Sequence, residues 1–259
     1  MKNYGYQNEK DFVALFNNKY FYELDDRSQS FIMELFNNEI NNGEKIITWK
    51  NSINQKADIL IKYGKFVKRV SLKSGNSNSI HCEQIQTFKC YLERLNIPYK
   101  IIEKYVSYHY GYKRDAKGHF DYSCQLSSYD YKELYQGEID LFNASINKTR
   151  IMIDMIDRFL IRGNNSDYDI DALISGTVDD YVWILKYDLY DLILSKKNVY
   201  FTSPHISCLT IGPKKRCLNN NKNNIKDRYL VAIRWHNLKD DILEFRKLCR
   251  FPSSNKKTN

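Results

Sequence analysis

Nowhere in these 259 residues do eighteen apolar side chains follow one another, so the sequence offers no helix able to cross a bilayer. The N-terminus carries no basic flank leading into an apolar run and a cleavage site, and a cytoplasmic protein without membrane contact is expected. The six cysteines (Cys82, Cys90, Cys124, Cys208, Cys217 and Cys249) form no Cys-x-x-Cys and no Cys/His cluster at zinc-ligand spacing. They are expected to be reduced, mostly buried thiols. No glycine-rich Walker pattern is present, which argues against nucleotide triphosphate binding, and no internal repeat is found.

What is present is ordinary globular material, with 42% hydrophobic and 27% charged residues, enough for a core built without disulfides. The formal charge of +9 is unevenly spread. Gly43 to Lys73 holds eight Lys/Arg against Glu44 and Asp58, and Pro213 to the end holds thirteen against four acidic residues. Between Asp121 and Ser195 the balance reverses, fourteen acidic against six basic. Two basic segments around an acidic one are the pattern of a polyanion binder with one cationic face.

Apolar spacing predicts helices over Glu9 to Phe16 and Asp25 to Ile40, the second stopped by Asn41-Asn42-Gly43. Three short stretches rich in β-branched and aromatic residues follow, Lys45 to Trp49, Lys56 to Lys62 and Phe66 to Lys73, with Tyr63-Gly64 as the turn between the last two. A helix is expected from Ser79 to Leu95; the aromatic stretch Tyr99 to Tyr112 fits strand or helix, a strand starting near Tyr99 being favoured with a second helix or strand after it. Further helices are expected near Tyr129 to Phe142 and Ser145 to Ile161, closed by Gly163. A strand at Val182 to Ile184 and a helix over Lys186 to Ser195 come next. Val199 to Ile211 and Arg228 to Trp235 read as paired strands, and Leu238 to Cys249 as a last helix. The result is an α/β chain, divided on this reading into a catalytic core over 1–110 and a helical and β-hairpin lobe over 111–259 that serves recognition and assembly.

A Tyr63-Gly64 turn sets Lys62 opposite Lys65 and Asp58 opposite Arg69, so Asp58 shares a sheet face with Ser71 and Lys73. The other face receives Ile59, Ile61, Val70 and Leu72, a sensible core stripe. The pattern that builds the hairpin therefore also gathers a carboxylate and an ammonium. Phosphodiester hydrolysis needs charge neutralised on the phosphate and an activated water, both within the reach of a carboxylate-held Mg²⁺. Asp58 suits the metal, and Lys73 can orient the water or stabilise the growing charge. One carboxylate rarely holds Mg²⁺ alone; Glu83, about ten residues after Lys73, is the candidate second ligand. The competing reading of Asp58 and Lys73 is an ion pair on a solvated hairpin face.

Lys56-Ala57-Asp58, then Val70-Ser71-Leu72-Lys73-Ser74-Gly75, then Ser79-Ile80-His81-Cys82-Glu83 resemble the PD-(D/E)XK nuclease motif of restriction endonucleases and their relatives. Ala57 replaces the proline, and Ser71 stands where Asp or Glu usually precedes the x-Lys. A subgroup of restriction enzymes is similar in that serine, with the missing carboxylate supplied from the next helix, which makes Glu83 the migrated ligand. The resemblance covers roughly residues 30 to 110. It implies a restriction-endonuclease-like core, a mixed central sheet flanked by helices, with a C-terminal α+β extension. It further implies Mg²⁺-dependent hydrolysis of double-stranded DNA leaving 5′-phosphate ends, with Mn²⁺ as a substitute metal. The early helix of the family often adds a carboxylate, here Glu34 or Glu39, with Glu39 ranked first.

A type II-like restriction endonuclease is the first reading, acting as a homodimer or homotetramer, with a companion DNA methyltransferase for the same site. A repair or structure-selective nuclease of the same fold, and a DNA-binding protein without cleavage, are the alternatives. Backbone N–H groups of the loop Ser74 to Asn78 and the side chains of Ser74, Asn76, Asn78 and His81 are candidate DNA contacts next to the site. Gln84 and Gln86 share the following turn. Lys214, Lys215, Arg216 and Arg228 are candidate phosphate contacts, and Arg216 or Arg234 a reader of guanine edges.

Overall fold

The computed structural model describes residues 4–40, 43–52, 56–74, 79–115, 117–163, 168–216 and 225–250. The chain divides into two units, each assembled from separated stretches: 1–78, 157–192 and 237–259 in the first, 79–156 and 193–236 in the second. The sequence-based boundary at residue 110 has no counterpart in this division.

The first unit is built on a six-stranded mixed sheet, ordered Lys19–Tyr20, Lys45–Lys50, Ile59–Tyr63, Phe66–Lys73, Ala172–Thr177, Asp180–Leu185. Neighbours are antiparallel except where Phe66–Lys73 runs parallel to Ala172–Thr177. Period-2 alternation sends Ile46, Ile59, Ile61, Val70, Leu72, Ala172 and Ile174 to one face, where they form a core with Phe12, Phe16, Phe31 and Ile32. Those partners come from the helices Tyr4–Phe16 and Asp26–Leu35. Asp25 caps the second helix by accepting from the Ser28 N–H at 2.7 Å, and the Ser28 hydrogen bonds hold its carboxyl below the usual range.

Ala172–Thr177 escapes a search for alternation because its first five residues are all buried, as a parallel central strand covered on both faces requires. The expected helix to Ile40 ends at Leu35 instead, since Asn37 and Asn38 take positive φ, a conformation that asparagine tolerates and a helix does not. The hairpin turn is Gly64-Lys65, not Tyr63-Gly64: Tyr63 pairs with Phe66, and Gly64 has φ +58 at the first of the two turn positions, where glycine carries no Cβ penalty. Moving a two-residue turn by one position changes every pairing by two residues, so the faces are conserved. Arg69 now pairs with Leu60, and Asp58 lies just before the first ladder pair, Ile59 with Val70.

The second unit holds a four-stranded antiparallel sheet, ordered His205–Ile206, Leu209–Pro213, Leu230–Arg234, Ser79–Gln84, and a small hairpin of Tyr112–Arg114 with Phe120–Gln125. Ser79–Gln84 was expected to open a helix; ladder pairing with Leu230–Arg234 makes it a strand, and the helix begins only at Ile85. Where the sequence favours a strand starting near Tyr99 over a helix, Tyr99–Tyr110 is a helix started after Pro98 and ended by Gly111 at φ +73, its Ile102, Tyr105, Tyr108 and His109 buried at helical spacing. Tyr105 stacks on Phe142 of the helix Ser128–Ile146, ring centroids 4.7 Å apart. The helix Thr149–Ile156 follows in this unit, and the π-helical Asp157–Arg162, ended by Gly163 at φ +75, belongs to the first unit. Cys82 and Cys90 are exposed free thiols and Cys208 a buried one, so burial is not the rule among the described cysteines.

Candidate active site

The site of the first unit forms where two hairpin strands end. Asp58 extends the Ile59–Tyr63 strand by one residue, its N–H donating to the Val70 carbonyl at 2.9 Å and its own carbonyl accepting from Asn51 at 2.9 Å. Its carboxylate turns across the ladder. Ser71 Oγ donates to Asp58 Oδ2 at 3.0 Å and the Leu72 N–H donates to the same oxygen at 2.6 Å. Oδ1 carries no hydrogen bond from the described residues. Ser71 is fully buried, whereas Asp58 and Lys73 are half-buried. Ser71 thus acts on Asp58, fixing its orientation.

Lys56 is the member of this site that reading the motif overlooked. Its ammonium donates to the Phe159 carbonyl in the π-helical segment at 2.5 Å, and its stem packs where Gly163 leaves room, an added Cβ there lying 3.5 Å from Lys56 Cβ. Burial pushes its amine well below the usual lysine value; the charge of Lys73 adds to that and the charge of Asp58 opposes it. The signal was available: Lys56 precedes Asp58 by two residues and shares its face in an extended chain.

Glu83 lies on the Ser79–Gln84 strand of the second unit, opposite Val231, not in the opening turn of a helix. It is buried, with His81 Nε2 3.9 Å from Oε2. Glu39 is exposed beyond the end of the Asp26–Leu35 helix, its N–H donating to the Phe36 carbonyl. Glu34 is engaged by Arg246, at 2.7 and 2.9 Å, and by Trp183 Nε1 at 2.7 Å. Among the described residues no three His, Cys, Asp or Glu side chains gather as a metal cluster.

The other candidates divide. Ser74 is half-buried after the Phe66–Lys73 strand, and Asn76 and Asn78 lie outside the described residues. Lys214 pairs with Asp227 at 3.0 Å and Lys215 is exposed. Arg216 donates to the carbonyls of Leu126, at 3.1 Å, and Tyr108, and its guanidinium covers the Tyr108 ring. Arg228 lies over the Tyr110 ring. Arg234 donates to the Pro213 and Lys214 carbonyls at 2.8 and 3.2 Å. The two arginines expected to read bases are therefore engaged with backbone of their own unit. They line a cavity of about 360 Å³ with Ser128, Thr210 and His236. Gln84 and Gln86 are exposed.

The mixed sheet flanked by helices defines a restriction-endonuclease-like fold. Among solved structures, the chain is similar to restriction endonuclease MspI in complex with its cognate DNA, with a TM-score of 0.51 and 13% identity over 89% of this chain and 88% of that one. No protein-family model and no curated protein matches the sequence. No helix among the described residues is long and apolar enough to cross a membrane.

Proposed function

We propose that this chain is a Mg²⁺-dependent endonuclease of double-stranded DNA, acting as a type II-like restriction enzyme. The observation that carries the reading is the Asp58 carboxylate: one oxygen is held by Ser71 and Leu72 while the other faces no donor, on the same sheet face as Lys73. The fold, shared with a restriction endonuclease, supports it. The donor set fits the ion, because Mg²⁺ takes one or two carboxylates and fills its remaining positions with water and substrate phosphate oxygens. Asp58 Oδ1 would be the first of these ligands. When bound, the metal supplies Lewis acidity to the phosphate and lowers the pKa of a bound water.

The protein's own groups do the rest. Ser71 and the Leu72 N–H keep Asp58 in one rotamer, so that its other oxygen stays aimed at the site. Lys73 donates to the attacking water or to the phosphate oxygen on which charge grows. Cleavage leaves 5′-phosphate ends. Two copies assemble to cut both strands, with a methyltransferase protecting the host's own sites.

Incubating the protein with unmethylated phage DNA and Mg²⁺ tests the reading. Discrete fragments are expected from the wild type, none from Asp58→Ala, and a rate lower by about 10²–10³-fold from Lys73→Ala. DNA binding without any metal-dependent nicking establishes the alternative instead, a binding protein without cleavage, which the single carboxylate and two lysines of the first unit favour.

A further inference from the structure

One face of the first unit's sheet is filled by the Phe12–Phe31 core, but the other is covered only in part. On that other face Leu173 and Ile184, paired in the ladder, are buried. Away from them the same face opens to solvent in three rows set by the register. Trp49, Leu60 and Arg69 form the row next to Asp58 and Ser71; Ile47, Lys62 and Val67 form the next; Lys45 and Tyr20 form the last. Ile47, Trp49, Lys62, Val67 and Lys45 are exposed.

The rows carry one cation each, and two carboxylates flank the strip: Asp171 Oδ2 accepts from the Arg69 N–H at 2.8 Å, and Glu44 Oε2 lies 2.8 Å from where a Cβ on Gly64 would stand. Arg69 is held over the Tyr168 ring, 4.2 Å from its centroid, and Lys45 stands 5.1 Å from that of Tyr20. Lys62 has no ion-pair partner among the described residues. Successive rows are two residues apart, about 6.7 Å, so the strip runs about 20 Å from Asp58 to Lys45. That length matches about six base pairs at 3.4 Å each.

A monomeric soluble surface seldom leaves a tryptophan, an isoleucine and a valine adjacent on an open sheet without a partner. A protein partner would be recognised by apolar area with few charges at its centre, whereas here a cation interrupts every row. Evenly spaced cations with aromatics beside the first and last of them are complementary to a sugar–phosphate backbone, the two carboxylates standing at the ends of the strip. The strip is also continuous with the row that holds the candidate reacting groups. We infer that the substrate duplex lies along this open sheet face, Arg69, Lys62 and Lys45 contacting every second phosphate of one strand on one side of the scissile bond and Trp49 packing against the deoxyribose next to it. The inference rests on the nuclease reading above and extends it to residues outside the motif.

Intrinsic fluorescence tests it without a variant, because Trp49 is 39% exposed while Trp183 and Trp235 are 6% and 1% exposed. Acrylamide quenching is measured on the full chain with Ca²⁺, with and without a 20-base-pair duplex, while a mobility shift reports binding independently. Duplex binding is expected to remove the quenchable component, the same component that Trp49→Phe deletes. Lys62→Ala and Arg69→Ala are each expected to reduce the slope of log K against log salt by about 0.9, and Lys10→Ala, on the helix covering the opposite face, to leave it unchanged. A shifted duplex with Trp49 still fully quenchable and all slopes unaltered overturns the strip and spares the nuclease reading. Absence of any shift overturns both. Quenching that is already suppressed without DNA, in proportion to protein concentration, assigns the face to a second copy of the chain and overturns the inference.

Discussion

Ser71 binds the one carboxylate of the candidate site instead of adding a second, and its geometry fixes how that carboxylate is turned. A serine hydroxyl 3.0 Å from Asp58 Oδ2, added to the Leu72 N–H on the same oxygen, leaves the carboxylate one way to face. Hydrogen bonds to a charged group contribute about 1.5–3 kcal/mol, and deleting an outer partner of a metal ligand costs about 10–100-fold in metal affinity. Under the nuclease reading proposed above, Ser71→Ala is therefore expected to raise the Mg²⁺ concentration for half-maximal cleavage by about 10–100-fold, with the rate at saturating Mg²⁺ much less affected. A metal titration of both proteins checks this; equal midpoints would mean that the hydroxyl does not orient Asp58.

Elements built on local pattern were legible, and those decided by distant pairing were not. Ile59, Ile61, Val70 and Leu72 alternate with Asp58, Ser71 and Lys73, so the site-bearing face was readable even with the turn misplaced by one residue. Ser79–Gln84 has no such signature; only its ladder with Leu230–Arg234, some 150 residues away, makes it a strand, and with it Glu83 moves from a helix to a sheet. The aromatic run Tyr99–Tyr110 has strand-forming composition, but its buried positions follow the helix. That helix carries a pH-sensitive contact. His109 Nε2–H donates to the Arg228 carbonyl at 2.9 Å, and burial pushes the imidazole down to about 4 from its ordinary 6.5. Between those values the unfolded chain binds a proton that the folded one refuses, so stability is lost as pH falls from about 6.5 towards 4. The shift corresponds to a loss on the order of 3 kcal/mol, and buried His205, also depressed by burial, acts in the same direction. Urea unfolding at pH 7 and pH 4.5 is expected to show this decline, and His109→Gln to flatten it; a decline of the same size in the variant would assign it to other groups.

At the scale of the whole molecule the governing facts are a charge of +9 and one Asp58 site per chain. A cationic protein finds DNA rapidly and at many places, so the number of cuts per encounter depends on how many sites arrive together. Two antiparallel strands related by two-fold symmetry call for two sites related in the same way. If the acting form is a homodimer, mixing wild type with an equal amount of Asp58→Ala, after subunits exchange, makes about a quarter of the dimers doubly active and about half singly active. On a supercoiled plasmid carrying one recognition site, linear product in the first turnover should then fall to about a quarter while nicked circles rise in its place. A chain that works alone and returns for the second strand behaves differently: its linear product falls only with the wild-type concentration, to about half, and its nicked circles appear as a transient even without the variant. Scoring both products against time in the same reaction therefore separates paired sites from a single site acting twice.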